Sequence, residues 1–127
     1  MAVGISTYLA NAWLDALGNA TSFSVTTAYV KLHTGDPGAA GTSNAATETT
    51  RKSVSFAAAS NGSLASDADV TWTNIAGSQD ATHFTAWDSA TVGNFLFSGT
   101  ITANAYTAGD TYTITSGNLT VSLTVAS

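Results

Sequence analysis

Cysteine is absent from the chain of 127 residues. That excludes disulfides, thiolate metal sites and a cysteine nucleophile, and it frees the fold from any redox compartment. Charge is scarce as well. Asp, Glu, Lys and Arg make up 9% of the residues, against roughly 25% in an average globular protein. The basic residues number only three, Lys31, Arg51 and Lys52, and the net charge is −5. Affinity for nucleic acid rests on cations that neutralise phosphates, and three cannot form the required basic stripe. Anionic membrane surfaces are disfavoured for the same reason. No apolar run approaches the ~18 residues of a membrane span. The N-terminus lacks a positive segment and carries Asp15 within its apolar pattern, so no signal peptide is expected and synthesis in a cytoplasm is. Proline occurs once, as Pro37.

What is present suits one domain over residues 1–127, with a core drawn from 44% hydrophobic and 9% aromatic residues. Ser and Thr supply the missing polarity, and with Val and Ala they favour pleated, half-buried strands. A surface with so few charges is poorly protected against association. It is expected to live inside an assembly.

Ile5, Tyr8, Leu9, Ala12, Trp13, Ala16 and Leu17 recur on one helical face. Ser6 or Thr7 can cap the start and Gly18 the end, so the N-terminal segment 1–18 is read as one amphipathic helix over 5–17. Its apolar face either covers a sheet or contacts a neighbouring subunit. Beyond it the period changes to two. Apolar and polar residues alternate around Val30 and Leu32, through Val54 and Phe56, and through Val70 and Trp72. Further strands are expected near 84–87, 94–97, 112–114 and 119–125, with 94–97 apolar enough for a central strand. Turn signals stand at Asn61-Gly62, Gly77, Gly93, Gly109 and Gly117. The pattern predicts a mainly β chain: an antiparallel β-sandwich, or a barrel-like domain, of about seven to eight strands with one N-terminal amphipathic helix. Residues 28–33 and 51–126 form its β-domain. Residues 34–50 carry no apolar period and read as an extended loop or arm that reaches a partner.

The stretch KLHTGDPG, residues 31–38, concentrates rare residues and invites a site. A triad would need a nucleophile on a strained turn, and no GxSxG accompanies His33 or His83. Catalysis is not expected. The glycines lack the Gly-Lys-Ser/Thr of a phosphate loop, and Asp36 would repel phosphate. No cofactor is expected. Asp67 and Asp69 are weak candidates for a hard cation, without the glycine and glutamate of a calcium loop. Trp87, Tyr106 and Tyr112 are candidates for stacking on sugars, and Trp87, at a strand end, is expected to be partly exposed. The local reading of KLHTGDPG is a hinge. Asp36 accepts from backbone amides beyond it, and Pro37-Gly38 takes the central positions of a type II turn. Thr34, Gly35, Asp36, Pro37 and Gly38, with Arg51, Lys52 and Trp87, are the expected partner interface.

Several motifs in one order resemble a family of small bacteriophage virion proteins. They are Leu14-Asp15-Ala16-Leu17 in the helix, Leu32 to Gly38, Arg51 before Val54-Ser55-Phe56 and Ala57-Ala58-Ala59, Ala81 through Asp88, and Val92 through Thr102. A final motif runs from Tyr106 through Leu123, so the resemblance spans nearly the whole chain. It implies a structural, non-enzymatic component of the outer surface of the virion, made in the host cytoplasm. Two positions follow from it. The favoured one is a decoration or minor capsid protein, self-associated in symmetric clusters on the major capsid protein. The alternative is a minor tail, tail-tip or fibre-associated subunit bound to tail proteins. A receptor- or glycan-binding module stands as a further alternative.

Overall fold

The computed structural model describes residues 3–127. One helix precedes eight strands: α1 (Thr7–Gly18), β1 (Ala28–His33), β2 (Lys52–Val54), β3 (Ser63–Ala65), β4 (Val70–Trp72), β5 (Gln79–Trp87), β6 (Phe95–Tyr106), β7 (Tyr112–Ile114) and β8 (Thr120–Ser122). All pairings are antiparallel. A four-stranded sheet runs in the order β2-β1-β5-β6. Two ribbons, β3-β8 and β4-β7, make the facing layer. Of the two expected architectures, the sandwich is the one observed; among the described residues no barrel closes.

Alternation decides which side chains enter the core. Val30 pairs with Ala86 and Leu32 with Phe84, all on one face, and all are buried. They meet Trp72, Ile75 and Leu119 from the other layer, each nearly inaccessible. Phe97 stands edge-on to Phe84 with ring centroids 5.9 Å apart, the favoured geometry for two aromatic quadrupoles.

Three expectations are corrected. The segment around 94–97 is not central, because β6 is the outermost strand of its sheet. Leu96 and Phe97 are nonetheless both buried. Residues 4–6 add to that outer edge, with the Ser6 amide donating to the Leu96 carbonyl at 2.8 Å and Ser98 to Gly4 at 2.8 Å. The helix has the expected cap, since Ser6 accepts from the Leu9 amide at 3.1 Å, but it starts at Thr7 rather than at 5, because Ile5 bridges to Phe97 on the sheet edge. Its end differs. Gly18 stays helical, Asn19 is the cap, and Ala20 takes the left-handed conformation (φ 51°). Third, Leu9 alone in α1 is fully buried. The apolar face of the helix is shared between the sandwich and solvent, and Leu17 is 84% exposed.

Candidate functional site

Residues 34–50 do not form a free arm. The Asp36 carboxylate accepts the Gly38 amide at 2.8 Å, so the expected Asx turn is present, and Gly38 has φ +77°. The chain then reverses. Ser43 donates to the Pro37 carbonyl at 2.9 Å, Thr34 to Asn44 at 2.8 Å, and Ala46 to Leu32 at 3.1 Å. Residues 44–46 thereby lie beside the end of β1, on the side that β2 occupies further back. Pro37 and Ala46 are buried. Glu48 is buried too, its two carboxylate oxygens accepting the Ala76 and Thr50 amides at 3.0 and 3.1 Å. Burial on its own would raise this carboxyl. The amide bonds and the nearby Lys52 outweigh it and hold the group below its ordinary value. The physical reason for the correction is backbone satisfaction: a loop whose amides find partners on the sheet gains by lying on it.

His33 fastens that loop to the sheet. Its ring is wholly buried. Nδ1 meets the Ser43 carbonyl at 2.8 Å and Nε2 meets the Thr85 hydroxyl at 3.0 Å. A carbonyl only accepts, so Nδ1 carries the proton and Nε2 accepts from Thr85. The Thr85 oxygen in turn accepts the Trp87 indole N–H at 2.7 Å. Burial lowers the His33 pKa, Lys31 and His83 lower it further, and the bond to the Ser43 carbonyl opposes them. The ring is thus a neutral structural link rather than a base held by a carboxylate.

Trp87 is 8% exposed. The expected exposure fails because both neighbours of the ring are in place. The Arg51 guanidinium lies 4.1 Å from its centroid, and the Phe95 ring lies 5.4 Å away. Arg51 also clamps the β5–β6 turn, Nη1 donating to the Ser89 carbonyl at 2.8 Å and to the Val92 carbonyl at 2.6 Å. Asp88 closes the same turn by accepting from the Asn94 amide and side chain at 2.7 and 2.9 Å. Tyr106 and Tyr112 are 6% and 4% exposed and pack against each other at a tilt of 56°, ring centroids 5.1 Å apart. None of the three aromatic rings proposed from the sequence as a sugar platform is therefore presented to solvent.

The remaining predicted residues serve turns and edges. Asp67 accepts from the Ser55 hydroxyl, and Asp69 accepts the Ser116 amide at 2.8 Å. Each carboxylate is committed to its own strand connection, and the two share no ligand geometry. Among the described residues no group of three or more His, Cys, Asp or Glu gathers. Lys52 opens β2 and is half-buried. The sequence does not disclose a concavity of about 830 Å³ that opens between α1, residues 23–28 and the β2–β4 side of the sandwich. Leu9, Trp13, Phe23, Val25, Val54 and Phe56 line it, and Asp69 is its one charged lining residue.

In comparison with known proteins, the chain matches the family model described as Podophage GP4 fiber I protein gp80 over residues 4–122. No curated protein matches it.

Proposed function

The chain belongs to the podophage GP4 fiber I protein gp80 family, a fibre-like structural protein of a bacteriophage virion, and from that premise we propose that it is a structural subunit of the tail apparatus, bound to other tail proteins and to copies of itself. The single observation that carries this reading is the family match across residues 4–122. It supports the tail position better than the capsid-decoration position that the motifs alone favoured. The KLHTGDPG stretch, on this reading, is part of the family's sequence signature as well as a local hinge.

The work is non-covalent and non-enzymatic. Both histidines are tied into hydrogen bonds within the fold, His33 to Ser43 and Thr85, and His83 to Thr82 at 2.8 Å. Exposed apolar side chains on a surface with few charges supply the contacts: Leu14 at 62%, Leu17 at 84% and Val92 at 84%. Each contact is small, and repeated copies add through avidity.

The test is immunogold labelling of the virions that encode this chain, with antibody raised against it. Gold is expected on the tail or its fibres. Gold on the faces of the capsid overturns the proposal.

A further inference from the structure

His33 stands in a chain of donors and acceptors that has no place for a second proton. Its Nδ1–H donates to the Ser43 carbonyl, and its Nε2 accepts from the Thr85 hydroxyl. The Thr85 oxygen accepts the Trp87 indole N–H. A proton added at Nε2 would turn that nitrogen into a donor. Two donors would then point at the Thr85 oxygen, and the Thr85 hydroxyl hydrogen would lose its acceptor. His33 and Thr85 are both 0% exposed, so water does not reach that hydrogen. An unmet buried donor is costly, and the new charge adds its own desolvation.

The surroundings offer that charge no counterion. On β1, Lys31 stands two residues before the ring on the same face, with Arg51 near it. Asp88 lies beside Arg51. On β5, His83 pairs directly with His33. β6 carries no charged residue. In residues 34–47 the one acid is Asp36, and its carboxylate is turned to the Gly38 amide. Glu48, the next acid, accepts from Ala76 and Thr50.

Water has one inexpensive route to the ring. β1 and β5 cover it from the sheet, and five paired residues hold these strands together. Residues 43–45 cover it from the loop, and two backbone bonds hold them to the end of β1, Ala46 to Leu32 and Thr34 to Asn44. Further contacts close a circuit through the ring. Gly41 packs on Phe95, Phe95 on Trp87, Trp87 bonds Thr85, Thr85 bonds His33, and His33 bonds Ser43, two residues beyond Gly41.

We propose that His33 is an acid-released clasp: protonation of its ring lifts residues 34–46 off the sheet while the sandwich stays folded. Release bares the end of β1 as an unpaired strand edge beside the Phe95 ring. Burial, with Lys31 and His83 adding to it, already lowers the pKa of the closed ring. The released ring regains its ordinary value of about 6.5, so opening and protonation are linked through one proton.

The test is backbone amide exchange of the full chain, followed by NMR from about pH 7.5 to about pH 4.5 and corrected for the intrinsic rate at each pH. The Thr34, Ser43 and Ala46 amides are expected to exchange through an opening of their own, with a larger opening constant than the amides of β1 and β5. Below about pH 6.5 that constant should rise ~10-fold per pH unit, the slope of one proton, until the pKa of the closed ring is reached. His83→Gln should keep the slope, and His33→Gln should abolish it. Loop amides whose opening constant is independent of pH overturn the proposal, as do loop amides that open only together with β1 and β5. A slope that survives in His33→Gln, or is lost in His83→Gln, overturns it as well. The parent's own slope decides the matter even if His33→Gln fails to fold. The virion labelling above reports on the tail reading, and amide exchange reports on the clasp alone.

Discussion

At Gly38 the backbone has φ +77°, and a Cβ there would stand 3.4 Å from the Ser43 hydroxyl. Space is adequate, so the cost of a side chain is conformational. A β-branched residue in the left-handed region loses ~1–2 kcal/mol. Gly38→Val should lower unfolding free energy in urea by about that amount and loosen residues 34–46, seen as faster amide exchange there. Gly41 is a different case. Its φ is +72°, and a Cβ would lie 2.7 Å from the Phe95 ring, so the loop also depends on close approach. A glycine-rich stretch was visible in the sequence. Which glycine serves a turn and which serves a contact was not, because the contact is to Phe95, far along the chain. Trp87 teaches the same lesson. Its position at a strand end suggested exposure, and only folding brought Arg51 and Phe95 onto it.

Among the elements, α1 divides its apolar residues unequally. Leu9 is 4% exposed and belongs to the core cluster, whereas Leu17 is 84% exposed. Leu9→Ala should cost ~2–5 kcal/mol, the range for a large-to-small change in a packed site. Leu17→Ala should change stability within ~0.5 kcal/mol, as exposed substitutions do. Thermal unfolding of the two variants checks the contrast, and equal losses would mean the helix packs as one face. Helical period told that a helix exists and where its cap lies. It did not tell how much of the face meets the sandwich. Strand lengths show a similar limit. β1, β4 and β7 have the bounds that alternation predicts. β5 begins at Gln79 and β6 runs to Tyr106, well beyond their apolar stretches. In those extensions the Gln79–Tyr106 and Asp80–Ala105 pairings keep polar and small residues extended. β3 was not expected at all, and its short Ser63–Ala65 segment exists through pairing with β8.

For the whole molecule, two buried ionisable groups set the response to acid. His33 has its pKa lowered by burial, with Lys31 and His83 adding to the effect. Above its ordinary value of about 6.5 the folded and unfolded forms are both neutral, and its contribution to stability is complete. As pH falls below that, the unfolded chain takes a proton that the folded chain resists, and stability declines until the lowered folded value is crossed. Glu48 is held below its ordinary value of about 4.3. Its contribution is present above that value and is lost as pH falls through the folded one. Unfolding free energy should therefore fall in two steps as the solution is acidified. His33→Gln should flatten the first step, which begins near pH 6.5, and leave the second. A profile unchanged by His33→Gln would show that the buried ring does not govern it.

The sequence by itself determined the composition-level facts: a β-rich chain without thiols, poor in cations, with an N-terminal helix and a turn at Asp36-Pro37-Gly38. These follow from local periodicity and single-residue conformational preference, which need no knowledge of distant neighbours. It also placed the chain among phage structural proteins through motifs in order. Tertiary structure alone decided that residues 34–50 lie folded on the sheet, that Trp87 is covered by Arg51, that β6 is an edge, and that a groove opens beside α1. Each of these depends on contacts between residues far apart in sequence. Their free energy comes from burial and from pairing of backbone groups, and local composition carries no record of which partner a residue will meet.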